Sequence, residues 1–266
     1  MYKAVFLDLD GTLLDNEKRI SEENKKAIKY AQSKGAYVCV CTGRQFEMGK
    51  KFKELAGADR FFIYSNGAGI YDCDNNEVLF SSILSSNICT KISELTIPEN
   101  MFIRIDTIYG RYINNEIYKV NTEIVLNNDE MNTIYSNNEV LEISIGSLEE
   151  DSIKRYSEKL LNLYGDIIKI VNKYILNLNG YKLYMINIIN KSASKGNAIT
   201  GLCKYLKIDT KDVIAIGDDM NDISMIEVAG LGIAMGNAEK EFKKIANEIT
   251  KTNLQNGVAE VLFNKF

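Results

Sequence analysis

Apolar and polar positions alternate in two distinct styles along the chain, and the first style occupies both ends. Lys3 to Leu7 is a short apolar run that reads as a strand, followed by a polar turn and a helix from about Glu22 to Ser33 with Ser21 placed to cap it. Gly35 closes that helix, Ala36 to Cys41 is continuously apolar, and a helix around Phe46 to Leu55 leads to a further strand-like run, Arg60 to Tyr64. The alternation returns near the C-terminus. There it predicts a helix over Gly196 to Leu206, a strand over Val213 to Ile216, a helix over Asp222 to Ala229, a strand over Leu231 to Ala234 and a helix over Ala238 to Ala246. Runs that are apolar throughout belong to strands covered on both faces, so the expected fold class is α/β, with a doubly wound, Rossmann-like parallel-sheet core.

Between about Ile83 and Asn187 the pattern changes to shorter, tyrosine- and asparagine-rich strands, MFIRI, GRYI, VLEISIG and KLYMINII, with a helix from about Leu148 to Leu163. This predicts an inserted α+β domain over 83–187, interrupting a core made of 1–82 and 188–266.

Composition narrows the chemistry. A chain of 266 residues with 45% apolar and 26% charged positions and a single proline is that of a folded protein large enough for a core and an insertion. A net charge of −4 without a concentrated Lys/Arg block gives no electrostatic reason to bind nucleic acid or an anionic membrane, so a small-molecule partner is expected. The opening MYKAVFLDLD is interrupted by Asp8 and Asp10, and no run approaches the roughly 20 apolar residues that span a bilayer, so the expected location is cytoplasmic. Cys39, Cys41, Cys73, Cys89 and Cys203 are odd in number and lack C-x-x-C spacing, which favours reduced thiols over disulfides or a zinc site. The sequence contains no histidine, which removes Ser-His and Cys-His catalysis and His-ligated metals together. Acid–base work falls to carboxylates, whose hard oxygens suit magnesium.

Carboxylates cluster where strands end. Asp8-Leu9-Asp10-Gly11-Thr12 closes the first strand and Gly217-Asp218-Asp219-Met220-Asn221-Asp222 follows the run VIAI. In an open parallel sheet ligands bind beyond the carboxyl ends of the strands, so both motifs are delivered to one edge. A cap needs only one side-chain oxygen, and the excess of like charges is most simply stabilised by a divalent cation. Thr42-Gly43-Arg44 and Ser65-Asn66-Gly67-Ala68 end two more strands and bring hydroxyl and backbone donors able to hold phosphate oxygens. Lys195 opens a helix, where a cation is electrostatically misplaced unless it faces an anion. Spacing excludes rival phosphate motifs: no G-x-x-x-x-G-K-[ST] occurs, Gly230, Gly232 and Gly236 are one residue too widely spaced for a dinucleotide loop, and no cysteine is followed by the arginine of a cysteine phosphatase.

These four islands, in this order, resemble the haloacid dehalogenase superfamily and its Cof-like phosphatase branch. The resemblance covers residues 1 to about 70 and about 190 to 266, including Gly232-Ile233-Ala234-Met235-Gly236-Asn237-Ala238 and Asn256-Gly257-Val258-Ala259. The middle agrees only in length and style, as a cap inserted after the third core strand would. The resemblance implies an Mg²⁺-dependent phosphatase acting on a small phosphate ester through an aspartyl-phosphate. It makes Asp8 the nucleophile and Asp10 the general acid–base, with Thr42, Gly43, Lys195 and Asn221 around the phosphoryl group. Asp8, Asp218 and the Asp10 backbone carbonyl would hold the metal, with Asp222 supporting them from behind. A phosphomutase or phosphotransferase using the same intermediate is the alternative, and a non-catalytic phosphometabolite-binding protein a more distant one. Substrate choice is expected in the insertion, at positions such as Arg104, Tyr109, Arg111 and Tyr112.

Overall fold

The computed structural model describes residues 2–120, 123–137 and 140–266, which form two compact units, 2–81 with 193–266, and 82–192. The first unit begins with β1 (Ala4–Leu7), α1 (Glu22–Ser33), β2 (Tyr37–Cys41), α2 (Phe46–Ala56), β3 (Phe61–Tyr64), β4 (Gly69–Asp72) and β5 (Glu77–Ser81). The second comprises α3 (Ser86–Thr96), β6 (Phe102–Thr107), β7 (Arg111–Ile113), β8 (Ile124–Val125), α4 (Asn128–Asn137), β9 (Val140–Ser147), α5 (Glu150–Tyr164), β10 (Ile168–Leu178) and β11 (Tyr181–Asn190). The chain then returns to the first through α6 (Lys195–Leu206), β12 (Val213–Gly217), α7 (Ile223–Val228), β13 (Leu231–Ala234), α8 (Lys240–Ile245), β14 (Glu248–Ile249) and α9 (Gly257–Lys265).

Among the described residues the core sheet has the order β14-β13-β12-β1-β2-β3-β4-β5, parallel from β14 to β3. β1 is central because all four of its residues are buried and apolar, which only a strand covered on both faces tolerates. The chain winds from β1 to β2 in one direction and from β12 to β13 in the other. Right-handed crossovers therefore put α1 and α7 on opposite faces, and the strand order reverses between β1 and β12. On one face Phe6, Cys39, Cys41 and Ala215 pack with Ala198 and Leu202 of α6 and Met225 of α7. Local signals act as expected: the Ser21 hydroxyl accepts the Asn24 N–H at 3.1 Å to cap α1, and Gly57 ends α2 in the left-handed conformation.

The insertion begins at Ser82, one residue before the expected 83, but not directly after the third core strand β3. Two antiparallel strands, β4 and β5, extend the sheet first, joined by a turn in which Asn76 takes φ 55°. The expected end of the insertion at 187 falls inside β11, because that strand runs on to Asn190 paired with Ile168.

The insertion carries a sheet of order β10-β11-β9-β6-β7-β8, and its elements α3, β8, α4 and β10 have no counterpart in the sequence pattern. One face buries Ile103, Ile105, Ile143, Ile145, Ile186 and Ile188 against Ile92 of α3, Met131 of α4 and Leu160 of α5. Strand alternation sends the intervening residues Arg104, Asp106, Glu142, Ser144 and Asn187 to the opposite face.

Candidate active site

Parallel pairing brings the carboxyl ends of β1, β2, β3 and β12 to one edge, and the four sequence motifs leave from there. The edge is continuous in hydrogen bonding: Asp8 N–H donates to Ile216 O at 3.1 Å and Thr42 N–H to Ile63 O at 3.0 Å. Lys195 enters from α6. Its ammonium donates to Asp8 Oδ1 at 2.6 Å and to Asp222 Oδ1, and the exposures of the three residues are 1%, 5% and 0%. A cation at a helix N-terminus is thus explained by two buried carboxylates. Burial alone would lower the lysine's pKa, but Asp222 and Asp8 raise it, so the ammonium stays charged.

Asp222 is fully engaged, since its Oδ2 accepts the N–H groups of Asp218 at 3.0 Å and Asp219 at 3.2 Å. Its carboxylate therefore fixes the turn that carries Asp218 and anchors Lys195. Asp8 uses only Oδ1, and among the described residues its Oδ2 carries no hydrogen bond. Burial first, and then the Asp222 charge, push the Asp8 carboxyl well above the usual carboxylate range against the opposing pull of Lys195. Asp218 is pushed up to about 6 by burial, with the Thr12 hydroxyl opposing and the Asp222 and Asp219 charges adding to the rise. Thr12 donates to Asp218 Oδ1 at 2.7 Å.

Oxygen atoms of Asp8, Asp218 and Asp222 lie within 4.8 Å of one another, a concentration of negative charge that Lys195 alone does not balance. The donors are all hard carboxylate oxygens, a set that suits Mg²⁺, and Thr12 occupies only one of the two Asp218 oxygens. Gly11 makes the approach of Asp218 feasible, because a Cβ there would stand 2.0 Å from Asp218 Oδ2, and its φ of 77° is itself one that favours glycine.

Asp10 is held differently. Arg44 grips its carboxylate bidentately, Nε to Oδ2 at 2.6 Å and an Nη to Oδ1 at 2.7 Å, and Lys18 adds a contact at 2.6 Å. The guanidinium lies 4.5 Å from the Phe52 ring centroid. Burial would raise the Asp10 pKa, but these two cations outweigh it and hold the carboxyl down to about 2. Arg44 belonged to a motif visible in the sequence without any sign of this contact, and Lys18, in a left-handed turn at φ 60°, had no signal at all.

Around the phosphate-binding candidates the packing is close. Thr42 is 1% exposed and its Oγ1 accepts the Arg44 N–H at 3.1 Å, which leaves its hydroxyl hydrogen to donate elsewhere. A Cβ on Gly43 would stand 2.7 Å from Asn66 Oδ1 and 3.3 Å from Asn221 Nδ2, and Asn221 donates to that same Asn66 oxygen at 3.0 Å. Ser65, Asn66 and Gly67 take φ values of 47°, 55° and 87° in succession. For the two non-glycine residues such backbone stores on the order of 1–3 kcal/mol each, and it persists only where the surroundings impose it. They do: Gly67 is pressed against Ser194, whose carbonyl oxygen would stand 2.2 Å from any added Cβ.

Arg104 and Arg111 are not solvated strand residues. Arg104 is 3% exposed, pairs with Glu123 at 2.5 Å and donates to Tyr118 O at 3.1 Å, while Arg111 reaches Asp106 at 2.7 Å and Glu123 at 3.0 Å. Burial, aided by the Asp106 charge, pushes Glu142 up to about 8. Arg104 and Arg111 thus face the buried carboxyls of Asp106 and Glu123. Removing one partner strands a buried charge, so Arg104→Met should cost about 3–5 kcal/mol of unfolding free energy. Denaturant unfolding monitored on the insertion reads this, and a change under about 1 kcal/mol would show that the pairs carry little. Tyr109 is 73% exposed, and Tyr112 packs beside the insertion's apolar cluster.

Among the described residues, no helix is long and apolar enough to cross a membrane. The sequence profile of the haloacid dehalogenase-like hydrolases matches residues 5–262. The 5-amino-6-(5-phospho-D-ribitylamino)uracil phosphatase YcsE of Bacillus subtilis (strain 168) is 31% identical over 260 residues, covering 98% of this chain and 94% of its own. Phosphatase YwpJ of the same organism is 30% identical over 290 residues, with 98% of each chain covered. In fold, a Thermotoga maritima protein superposes with a TM-score of 0.83 at 24% identity over 99% of this chain and 97% of its own. A haloacid dehalogenase-like hydrolase from Bacteroides thetaiotaomicron gives 0.82 at 24% identity over 100% of both. With the profile spanning almost every residue and the strand-end carboxylates gathered around one buried lysine, this chain belongs to the haloacid dehalogenase-like hydrolase family.

Proposed function

We propose that this phosphoric monoester hydrolase acts through an aspartyl-phosphate on Asp8, with Asp10 as proton carrier and Mg²⁺ as cofactor. The observation that supports it most is the Asp8–Lys195–Asp222 bridge beside Asp218, which holds one carboxylate oxygen of Asp8 and leaves the other available for attack. Phosphoryl transfer asks little of a protein beyond in-line positioning and neutralisation of charge.

In the first half, Asp8 Oδ2 attacks phosphorus while the ester P–O bond breaks, and the departing alkoxide takes the proton carried by Asp10. In the second, water attacks the phosphorus of the aspartyl-phosphate, Asp10 takes a proton from that water, and the acyl P–O bond breaks to return the Asp8 carboxylate and inorganic phosphate. Thr42, the Gly43 N–H, Lys195 and Asn221 donate to the phosphoryl oxygens. Asp8, Asp218 and the Asp10 carbonyl would hold Mg²⁺, which would supply positive charge against those oxygens. Asp222 serves through Lys195 and the backbone of Asp218.

The substrate is a small phosphorylated metabolite, a sugar phosphate, nucleotide or vitamin-precursor phosphate, chosen by the insertion, and the enzyme works in the cytoplasm without nucleic acid or membrane partners. The relative YcsE makes 5-amino-6-(5-phospho-D-ribitylamino)uracil a direct compound to test. Transfer to a second alcohol instead of water is separated by measuring inorganic phosphate: hydrolysis releases it stoichiometrically with no acceptor added.

Metal dependence carries a pH signature. Asp8 and Asp218 hold protons in the folded protein above their ordinary range, so metal-free stability declines as pH rises from about 4 through about 6, and Mg²⁺ must displace those protons to bind. At about 100 times its Kd, Mg²⁺ adds about 2.7 kcal/mol, a Tm gain of roughly 5–10 °C at pH 7.5. The same concentration should give a much smaller gain at pH 5, and Asp218→Asn should abolish both the gain and turnover. Equal gains at the two pH values, or full activity in chelated protein, would contradict the assignment.

A further inference from the structure

The turn Ser65–Gly67 braces three of the loops at the sheet edge. Gly67 abuts Ser194 and the Lys195 backbone, while the Asn66 carbonyl oxygen sits against Gly43 and accepts from Asn221. These neighbours, Gly43, Asn221 and Lys195, are the groups assigned to the phosphoryl oxygens. The other half of the same amide is unexplained. Asn66 is 3% exposed, and among the described residues its Nδ2 has no hydrogen-bond partner. A buried N–H₂ group that donates to nothing forfeits the hydrogen bonds it had in water, so such groups are rare in folded proteins unless a ligand completes them. Covalent geometry keeps Nδ2 beside Oδ1, and therefore beside Gly43 and Asn221. A left-handed turn places the side chain there, and asparagine tolerates that backbone better than other residues with a side chain.

We propose that the Asn66 side-chain amide is a further donor to the phosphoryl group, its oxygen orienting Asn221 while its nitrogen binds a phosphoryl oxygen. This rests on the phosphatase reading and extends its phosphate site to the β3 loop. The ligand chemistry is a tetrahedral oxyanion, whether free phosphate or the phosphoryl end of the substrate.

Asn66→Asp separates the two halves of the role. It keeps an oxygen for Asn221 and the tolerance for left-handed backbone, but replaces the donor with an anion facing phosphate. Asn66→Gly removes the side chain and suits the backbone, which guards against a folding failure. With Mg²⁺-loaded full-length protein, KM for p-nitrophenyl phosphate and the inhibition constant of inorganic phosphate should rise together in both variants. The expected rise is on the order of 10- to 100-fold, as for a lost hydrogen bond to a charged group, while Tm stays near wild type. Values for Asn66→Asp within twofold of wild type would overturn the proposal, because a residue that only braces Asn221 retains that function as aspartate. A wild-type protein that neither hydrolyses p-nitrophenyl phosphate nor is inhibited by phosphate would overturn the reading beneath it as well.

Discussion

Asp10→Asn is expected to release a burst of p-nitrophenol from p-nitrophenyl phosphate and then turn over slowly, whereas Asp8→Asn should release none. The variant keeps the Asp10 backbone carbonyl proposed for the metal and removes only the carboxylate proposed to carry protons. An aryl leaving group departs without protonation, so Asp8 is still phosphorylated, but the water that clears the intermediate lacks its base. Alkyl phosphates need the acid and should slow by about 10²–10⁴-fold. Arg44 and Lys18 hold Asp10 ionised in this structure, so the form needed to activate water is already present, while the form needed to protonate an alcohol is the disfavoured one. Losing the proposed nucleophile in Asp8→Asn should lower kcat by about 10⁴-fold or more for every ester. Equal slowing of aryl and alkyl esters by Asp10→Asn, without a burst or a trapped acyl phosphate by mass spectrometry, would remove Asp10 from proton transfer.

Lys195→Met should damage stability and activity together. The substitution keeps length and leaves Asp8 and Asp222, 5% and 0% exposed, without the cation between them. Stranding buried carboxylates in this way costs about 3–5 kcal/mol at pH 7. A carboxyl whose folded pKa is raised, as burial raises that of Asp8, loses stability as pH climbs through the interval between its unfolded and folded values, so the deficit should shrink as pH falls towards 4 and Asp8 takes up a proton. Denaturant titrations at pH 4.5 and 7.5 measure both parts. A deficit that is small at pH 7.5, or unchanged by acid, would mean that the ion pairs contribute little to folding.

How much of this was legible depended on whether the signal was local. β1, β2, β12 and β13 are short runs of apolar residues, and burial on both faces writes itself into consecutive positions. The strand-end carboxylates were equally visible, because a parallel sheet converts sequence order into a common edge. The β4–β5 extension was missed because Gly69–Asp72 and Glu77–Ser81 are short and only partly apolar. The Arg44–Asp10 clamp was illegible for a different reason: it joins residues from separate strand ends, and nothing near either names the other. The Arg104–Glu123 pair was illegible in the same way, because Glu123 follows β7 and nothing in the strand FIRIDT names it.

β1 pairs with β2 on one side and with β12 on the other, where Ala4 lies opposite Val213. During synthesis the strand that presents Asp8 must therefore wait, one edge unsatisfied, while the entire stretch from Ser82 to Ser192 is made. That stretch is a contiguous compact unit and can assemble on its own as it emerges, since domains generally fold as units. The core cannot, because closing β1 against β12 requires the ends of a long loop to meet, and such non-local pairing is slow. Lys195, Asp218 and Asp222 all come after the insertion, so the groups around Asp8 are assembled only at the last stage of folding, and a ribosome-bound chain truncated before β12 has the proposed nucleophile without the carboxylates that surround it.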